Sequence, residues 1–164
     1  MSELIRYGGC VLALLAAWGI GSGYSRYAGL RLGEYGSYLK LLSHLEWSLS
    51  TRAATVGEWS RSLHDDVLEG LGLLPALRSG VPVKDALSSA LSRGHCGEGV
   101  KTLLGELFGE YGRCSLESEL TKLAKAKELL EATVGREREE LLRSVRTFRI
   151  ILVAAALGTV ILLV

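Results

Sequence analysis

The C-terminal segment constrains the fold most, because residues 150–164 contain no charged side chain. As a helix this segment would be about 22 Å long, a little shorter than the bilayer hydrocarbon core of about 30 Å. The stems of Arg146 and Arg149 could extend it along the lipid, with Arg143 at the same boundary. A soluble domain of this size is too small to enclose a helix that is apolar on every face. We therefore expect a C-terminal transmembrane segment over residues 148–164.

A second uncharged stretch, "YGGCVLALLAAWGIGSGYS", lies near the N-terminus at residues 7–25. Its length fits one transmembrane helix. A cleaved signal peptide is the alternative, but Glu3 weakens the basic start and "GIGSG" is a poor cleavage site. We therefore expect an uncleaved transmembrane segment within residues 1–27.

Basic residues beside the two segments predict the membrane orientation. Two spans place both termini on one side, and basic residues favour the cytoplasmic side. Arg6 alone lies outside, whereas the central region carries Arg26, Arg31, Arg136, Arg138, Arg143, Arg146 and Arg149 near the spans. The central residues 28–147 are therefore expected in the cytoplasm.

Small residues recur every fourth position in both terminal segments. A row of this kind lies on one helix face and lets another helix approach closely. Glycine and alanine are also common in membrane helices generally, so the pattern permits two interpretations. The candidate packing residues are Gly9, Ala13, Ala17 and Gly21 in the first segment and Ala154 and Gly158 in the second.

The central region shows helical periodicity, and the expected fold class is all-α. About six bundle helices should lie between the two terminal transmembrane helices. Thr55 and Glu58 form a capping-box pattern. A helix through Leu68 and Leu74 should follow, disturbed by Pro75, and its neighbours His64 and Asp65 should lie on a solvated helix face. Further on, helix stop and restart signals are Gly80 and Pro82, and the next buried face is Ala86, Leu87, Ala90 and Leu91.

The fifth and last bundle helices have the clearest patterns. The fifth carries apolar residues at Val100, Leu103, Leu104, Leu107, Phe108 and Tyr111. Its glycines, which include Gly105 and Gly109, predict either a close helix crossing or an early end near Gly109. The last helix carries a partial heptad series, with charged Lys127 and Glu137 in two of its slots. The series predicts one helix of about 45 to 50 residues that runs into the apolar tail.

No motif for catalysis, cofactor binding or metal binding is present. GxxxxGK[ST], HExxH and GxSxG are all missing from the sequence, and the "GHCGE" stretch at residues 94–98 offers too few ligands for zinc. A net charge of +1 gives no reason to expect nucleic-acid binding. We expect no catalytic residue, no cofactor, no metal and no small-molecule substrate.

The order of these elements resembles the stage III sporulation protein AB family of endospore-forming bacteria. The resemblance covers nearly the whole chain: the N-terminal span, "AATVGEWSRSL", "LLGELFGEYG", the long charged helix and the apolar tail. "SGVPVKDALSSAL" is similar to a turn in the cytoplasmic domains of the type II secretion F protein. Tyr111 stands where the family usually has Leu. The motif residues are Leu107, Phe108, Gly109, Tyr111 and Gly112.

The resemblance implies a non-enzymatic membrane platform in the channel between mother cell and forespore. Its bundle would lie in the mother-cell cytoplasm, with the spans in the outer forespore membrane. The implied partners are a cytoplasmic secretion-type ATPase (stage III sporulation protein AA), other stage III sporulation membrane proteins and the lipid bilayer. The alternative is a membrane-anchored structural protein whose helical domain lies outside the cytoplasm and pairs through the long C-terminal helix.

Overall fold

The computed structural model describes the backbone of residues 2–52, 54–112 and 115–163. Side chains are described for residues 19, 22–52, 54–112, 115–148, 150–155 and 158. Over this part of the chain the fold is all-helical, as predicted, without a strand. The seven helices are α1 (Ser2–Arg52), α2 (Val56–Ser62), α3 (Asp66–Gly70), α4 (Leu73–Arg78), α5 (Val83–Arg93), α6 (Glu98–Gly109) and α7 (Leu116–Leu163).

The chain divides into two compact units, and α1 and α7 contribute to both. The terminal unit consists of Met1–Gly29 and Glu137–Val164, and the central unit of Leu30–Arg136. In the terminal unit the rings of Tyr24 and Phe148 stack with their centroids 6.2 Å apart. The central unit is a helical bundle with its own apolar core.

The core of the central unit is built from helix faces whose apolar residues recur at three- and four-residue spacing. On α1 the buried positions continue from Tyr35 and Tyr38 to Leu45. Trp59 of α2 is 1% exposed and lies in the same cluster. The other fully buried large side chains are Leu41, Leu42, Leu68, Leu73, Leu74, Leu87, Leu104 and Leu123. Burial of this apolar surface is the main stabilising contribution to such a bundle.

Helix α7 is a single helix of 48 residues, as the heptad series predicted. Its inner face is buried at Leu123, Ala126 and Leu130, whereas Leu116 at its start is 46% exposed. Lys127 occupies a charged slot of the series, and its Nζ lies 3.3 Å from Glu46 Oε2 on α1. The ion pair explains how a lysine is accommodated at the edge of an apolar seam.

The region between α2 and α4 differs from the prediction of one helix disturbed by Pro75. Helix α2 ends at Ser62, and Asp65 caps the short helix α3 instead of lying on a solvated helix face. The break before α4 comes at Gly72, whose φ of 80° is left-handed. Pro75 lies in the first turn of α4, where the lack of an N–H costs no intrahelical hydrogen bond.

The turn between α4 and α5 follows the predicted signals. Gly80 has φ of 85°, and its N–H donates to Leu77 O, while the Val81 N–H donates to Ala76 O. This pattern satisfies carbonyls at the end of α4, and Pro82 caps the start of α5. The predicted α5 face is buried at Ala86, Leu87, Ala90 and Leu91.

Of the two interpretations of the glycines in α6, the structure supports the early end. Helix α6 ends at Gly109. A Cβ built on Gly105 or Gly109 would meet no heavy atom within 4 Å among the described residues. No close helix crossing therefore explains these two glycines.

No helix has, over the residues that the structure describes, an apolar stretch long enough to cross a membrane. The surroundings of Gly9, Ala13, Ala17 and Gly21 lie outside what the structure describes, as does the side chain of Arg149. Many other side chains of the two predicted transmembrane segments, residues 1–27 and 148–164, also lie outside it.

Candidate functional site

The carboxylate of Glu34 is the centre of the most elaborate buried polar cluster in the central unit. Glu34 lies on α1 and is 4% exposed. Its Oε2 accepts from the backbone N–H of His95 at 2.7 Å and from the Cys96 Sγ at 3.3 Å. Its Oε1 lies 2.8 Å from Nδ1 of His95. We call Glu34, His95 and Cys96 the carboxylate cluster.

The adjacent Tyr35 extends this cluster along the loop between α5 and α6. The Gly97 N–H donates to Tyr35 Oη at 3.0 Å, and Arg31 Nε donates to the same oxygen at 2.8 Å. The Arg31 guanidinium also lies 5.8 Å from the centroid of the Tyr35 ring, within cation–π range. Glu34 and Tyr35 of α1 therefore fix the loop residues His95, Cys96 and Gly97.

Gly94 allows the loop to approach α1 this closely. Helix α5 ends at Arg93, and the loop runs from Gly94 to Gly97 before α6 begins. A Cβ on Gly94 would lie 2.8 Å from Glu34 Oε2. Because real Cβ atoms do not come so near a heavy atom, any larger residue here would displace the carboxylate.

The geometry of the carboxylate cluster suits a structural tie better than nucleophilic catalysis. A reactive thiol needs a base that takes its proton and an open path to a substrate. Cys96 is 5% exposed, and its thiol bonds to a carboxylate that already accepts from His95. Among the described residues, no three His, Cys, Asp or Glu side chains are placed to hold a metal ion.

Tyr38 lies one turn beyond Glu34 on the same face of α1 and is 0% exposed. Burial, together with the electrostatic influence of Cys96 and Glu34, raises the pKa of the Tyr38 phenol above its ordinary value. Its hydroxyl has no hydrogen-bond partner among the described atoms. The phenol is therefore a neutral group next to the carboxylate cluster.

Asp65 forms a second polar contact with α1. Its Oδ1 accepts from the N–H groups of Val67 and Leu68, which caps α3, and its Oδ2 lies 3.4 Å from Lys40 Nζ. Burial alone would raise the pKa of Asp65. Hydrogen bonds from the Ser37 side chain and the Leu68 amide, with the Lys40 ammonium, lower it instead.

The family-motif residues lie at the end of α6 and in the turn that follows. Phe108 is 3% exposed, and the centroids of its ring and the Tyr111 ring are 5.8 Å apart. Leu107 is partly buried and Gly109 is the last residue of α6. Gly112 has φ of 80°, and its N–H donates to Glu119 Oε1 at 3.1 Å. Burial raises the pKa of Tyr111 to about 12.

The remaining predicted site residues are distributed over other elements. The Glu58 carboxylate accepts from the Thr55 N–H at 2.8 Å and from the Thr55 hydroxyl at 2.9 Å, at the start of α2. Arg143, Arg146 and Ala154 on α7 are exposed. A Cβ on Gly158 would meet nothing within 4 Å among the described residues. The structure therefore brings none of these residues into the carboxylate cluster.

Sequence reasoning missed Glu34, although a signal for it was present. Glu34 precedes Tyr38, Leu41 and Leu45 at intervals of four, three and four, so it occupies a core position of the α1 period. A carboxylate at such a position needs partners, because burial of an unpaired charge is costly.

Sequence reasoning also missed Arg78 of α4. Its guanidinium donates to Ser60 O and Leu63 O at α2 and to Glu69 Oε1 of α3. It therefore joins the three short helices α2, α3 and α4.

Comparison of the chain with protein-family models, with curated proteins and with solved structures finds no match.

Proposed function

We propose that the chain is a non-enzymatic membrane platform of the stage III sporulation protein AB kind. Its terminal segments lie in the bilayer, and its central unit docks a secretion-type ATPase in the mother-cell cytoplasm. Other stage III sporulation membrane proteins and the lipid bilayer are its further partners. The proposal comes from the resemblance in the sequence. The structural observation that supports it is that α7 is one uninterrupted helix from Leu116 to Leu163.

Helix α7 supports the proposal because it has no break between its bundle part and its uncharged part. Leu123 and Leu130 are buried in the central unit, and the uncharged segment that starts at Ile150 belongs to the same helix. A helix that continues from a buried bundle face into an uncharged segment is the element order that a membrane platform of this kind would have.

The use of the polar side chains favours a binding role over catalysis. Glu34, His95 and Cys96 bond to one another and fix a loop. Asp65 and Glu119 are occupied by helix and turn N–H groups. Groups used in this way hold a rigid surface in place, and a rigid surface is what a docking protein presents to its partner.

Membrane orientation can be tested with a single engineered thiol. Cys96 is a poor reporter because it is buried, so we choose the exposed Ser89 of α5. We expect a membrane-impermeant maleimide to label Ser89→Cys in the full-length chain only after the cells are permeabilised. The wild-type chain measures background labelling. Labelling of Ser89→Cys in intact cells would instead support the extracytoplasmic alternative.

Docking can be tested by co-purification. The tagged full-length chain, extracted in a mild detergent, should retain the stage III sporulation ATPase when the two are expressed together. An unrelated membrane protein with the same tag is the control. Recovery of the ATPase at the level of that control would contradict docking, whatever the labelling experiment shows.

A further inference from the structure

An open groove of about 320 Å³ lies between α6 and α7 in the central unit. We call it the α6–α7 groove. It is lined on one side by Leu103, Glu106 and Leu107 of α6 with Glu110, the residue that follows α6, and on the other by Lys122, Lys125, Ala126 and Leu129 of α7. Its apolar lining includes Leu129, which is 47% exposed. Leu129 shares the groove with Leu103 and Leu107, and a continuous apolar strip between charged residues is typical of a site that a partner covers.

The two sides of the groove match in spacing. On each side the lining residues are spaced i, i+3, i+4 and i+7, which is the spacing of one helix face. Lys122 Nζ and Glu110 Oε2 lie 2.6 Å apart, which closes the end near the α6–α7 turn. Because the helices run in opposite directions from that turn, Glu106 and Lys125 lie at about the same height on opposite sides.

The sides differ in charge. Both acidic residues lie on the α6 side of the groove and both basic residues on the α7 side. Glu110 and Lys122 pair with each other. Glu106 and Lys125 are exposed, and neither forms an ion pair or side-chain hydrogen bond within the described part of the chain. The groove therefore presents one acidic and one basic group that are open to a partner.

We propose that the α6–α7 groove binds the α6–α7 groove of a second copy of this chain, about a two-fold axis parallel to the groove. A 180° rotation about that axis leaves each residue at the same position along the groove. It places the α6 side of one copy opposite the α7 side of the other. Glu106 of each copy then faces Lys125 of the other, and Leu129 of each copy faces the leucines on the α6 side of the other. A closed two-fold contact of this kind is the commonest form of self-association.

Charge complementarity selects this occupant and this arrangement. A two-fold axis perpendicular to the groove would place like charges opposite each other, which is unfavourable. An unrelated helix would need acidic groups along one edge and basic groups along the other to match. A second copy carries that pattern itself. The proposal does not depend on membrane insertion or on the ATPase.

Charge exchange in the full-length chain tests the proposal. Copies carrying a donor or an acceptor dye are mixed in detergent micelles, and energy transfer is titrated against protein concentration. We expect Glu106→Lys and Lys125→Glu each to weaken self-association by about tenfold, since each creates two like-charge pairs per dimer. The double variant should recover the wild-type affinity to within about threefold, and so should an equimolar mixture of the two single variants.

Matched controls separate a local effect from a change in net charge. Glu128→Lys and Lys84→Glu alter exposed residues outside the groove. Both should leave the energy-transfer titration unchanged, and circular dichroism should show wild-type helicity for all variants. A monomeric wild-type chain, single variants that associate like wild type, or a double variant that fails to recover would each overturn the proposal. Binding of only a different protein in the groove would give the first of these results.

Discussion

The carboxylate of Glu34 contacts both the backbone N–H and the ring Nδ1 of His95, at 2.7 and 2.8 Å, although 61 positions separate the two residues. The contact fixes the loop between α5 and α6 to α1. Two further loop residues are held by α1 as well: Cys96 by Glu34 and Gly97 by Tyr35. The long-range contact therefore determines where α6 begins relative to the core.

Removal of the Glu34 carboxylate should destabilise the fold. Glu34→Ala leaves the His95 amide and the Cys96 thiol without their acceptor, and we expect a loss of about 2 to 3 kcal/mol in the free energy of unfolding. Glu34→Gln should cost less, because it retains one acceptor and His95 can present its Nδ1 as an acceptor in the other tautomer. Urea denaturation followed by circular dichroism measures both. Wild-type stability of Glu34→Ala would contradict a structural tie.

Gly94 and Glu34 should be energetically coupled. Gly94→Ala places a methyl group against Glu34 Oε2 and should destabilise the wild-type protein. In the Glu34→Ala background the space is empty, so the same change should cost much less. A double-mutant cycle measures the difference. Gly105→Ala is the control: no described atom lies near its Cβ, and a mid-helix alanine should stabilise α6 by up to about 1 kcal/mol. Additive effects at Gly94 and Glu34 would show that the close approach is unimportant.

The cap of α3 should depend on the side-chain oxygen of Asp65 more than on its ion pair. Asp65→Ala removes the acceptor for two N–H groups and should cost about 1 to 2 kcal/mol. Asp65→Asn keeps an acceptor and should cost less. Lys40→Gln should cost under about 1 kcal/mol, because the Lys40 side chain is 71% exposed and solvent weakens the pair. If Lys40→Gln were as destabilising as Asp65→Ala, the ion pair would be the dominant interaction.

Glu58 should make stability depend on pH below its ordinary pKa of 4.5. Hydrogen bonds from the Thr55 backbone and hydroxyl lower the pKa of the folded carboxyl. A lowered folded pKa means that the contribution is complete above 4.5 and is lost as pH falls through the lowered value. The stability difference between wild type and Glu58→Gln should therefore shrink over that acidic range. A difference that is the same at pH 3 and pH 7 would contradict this assignment.

Local patterns predicted much of the fold because they depend on neighbours in the chain. The spacing of Ala86, Leu87, Ala90 and Leu91 predicted the buried face of α5, and Gly80 and Pro82 predicted the turn before it. The continuation of apolar spacing past Asp65 was misleading, because short helices separated by caps preserve that spacing.

The carboxylate cluster could not be predicted in the same way. The burial of Glu34 depends on the position of His95 and Cys96, which only the tertiary fold determines. The charge pattern of the α6–α7 groove likewise needs the opposed directions of two helices. A carboxylate on an apolar helix face was the one available signal, and it indicates that a partner exists without indicating which.

A vesicle flotation experiment tests the proposed function most directly. Liposomes that contain the purified full-length chain are mixed with the secretion-type ATPase and centrifuged through a density gradient, with protein-free liposomes as the control. If the chain is a membrane platform that docks this enzyme, the chain and the ATPase will both float with the loaded liposomes, and the ATPase will stay at the bottom with empty ones. If the chain floats and the ATPase remains at the bottom in both samples, the docking role is contradicted.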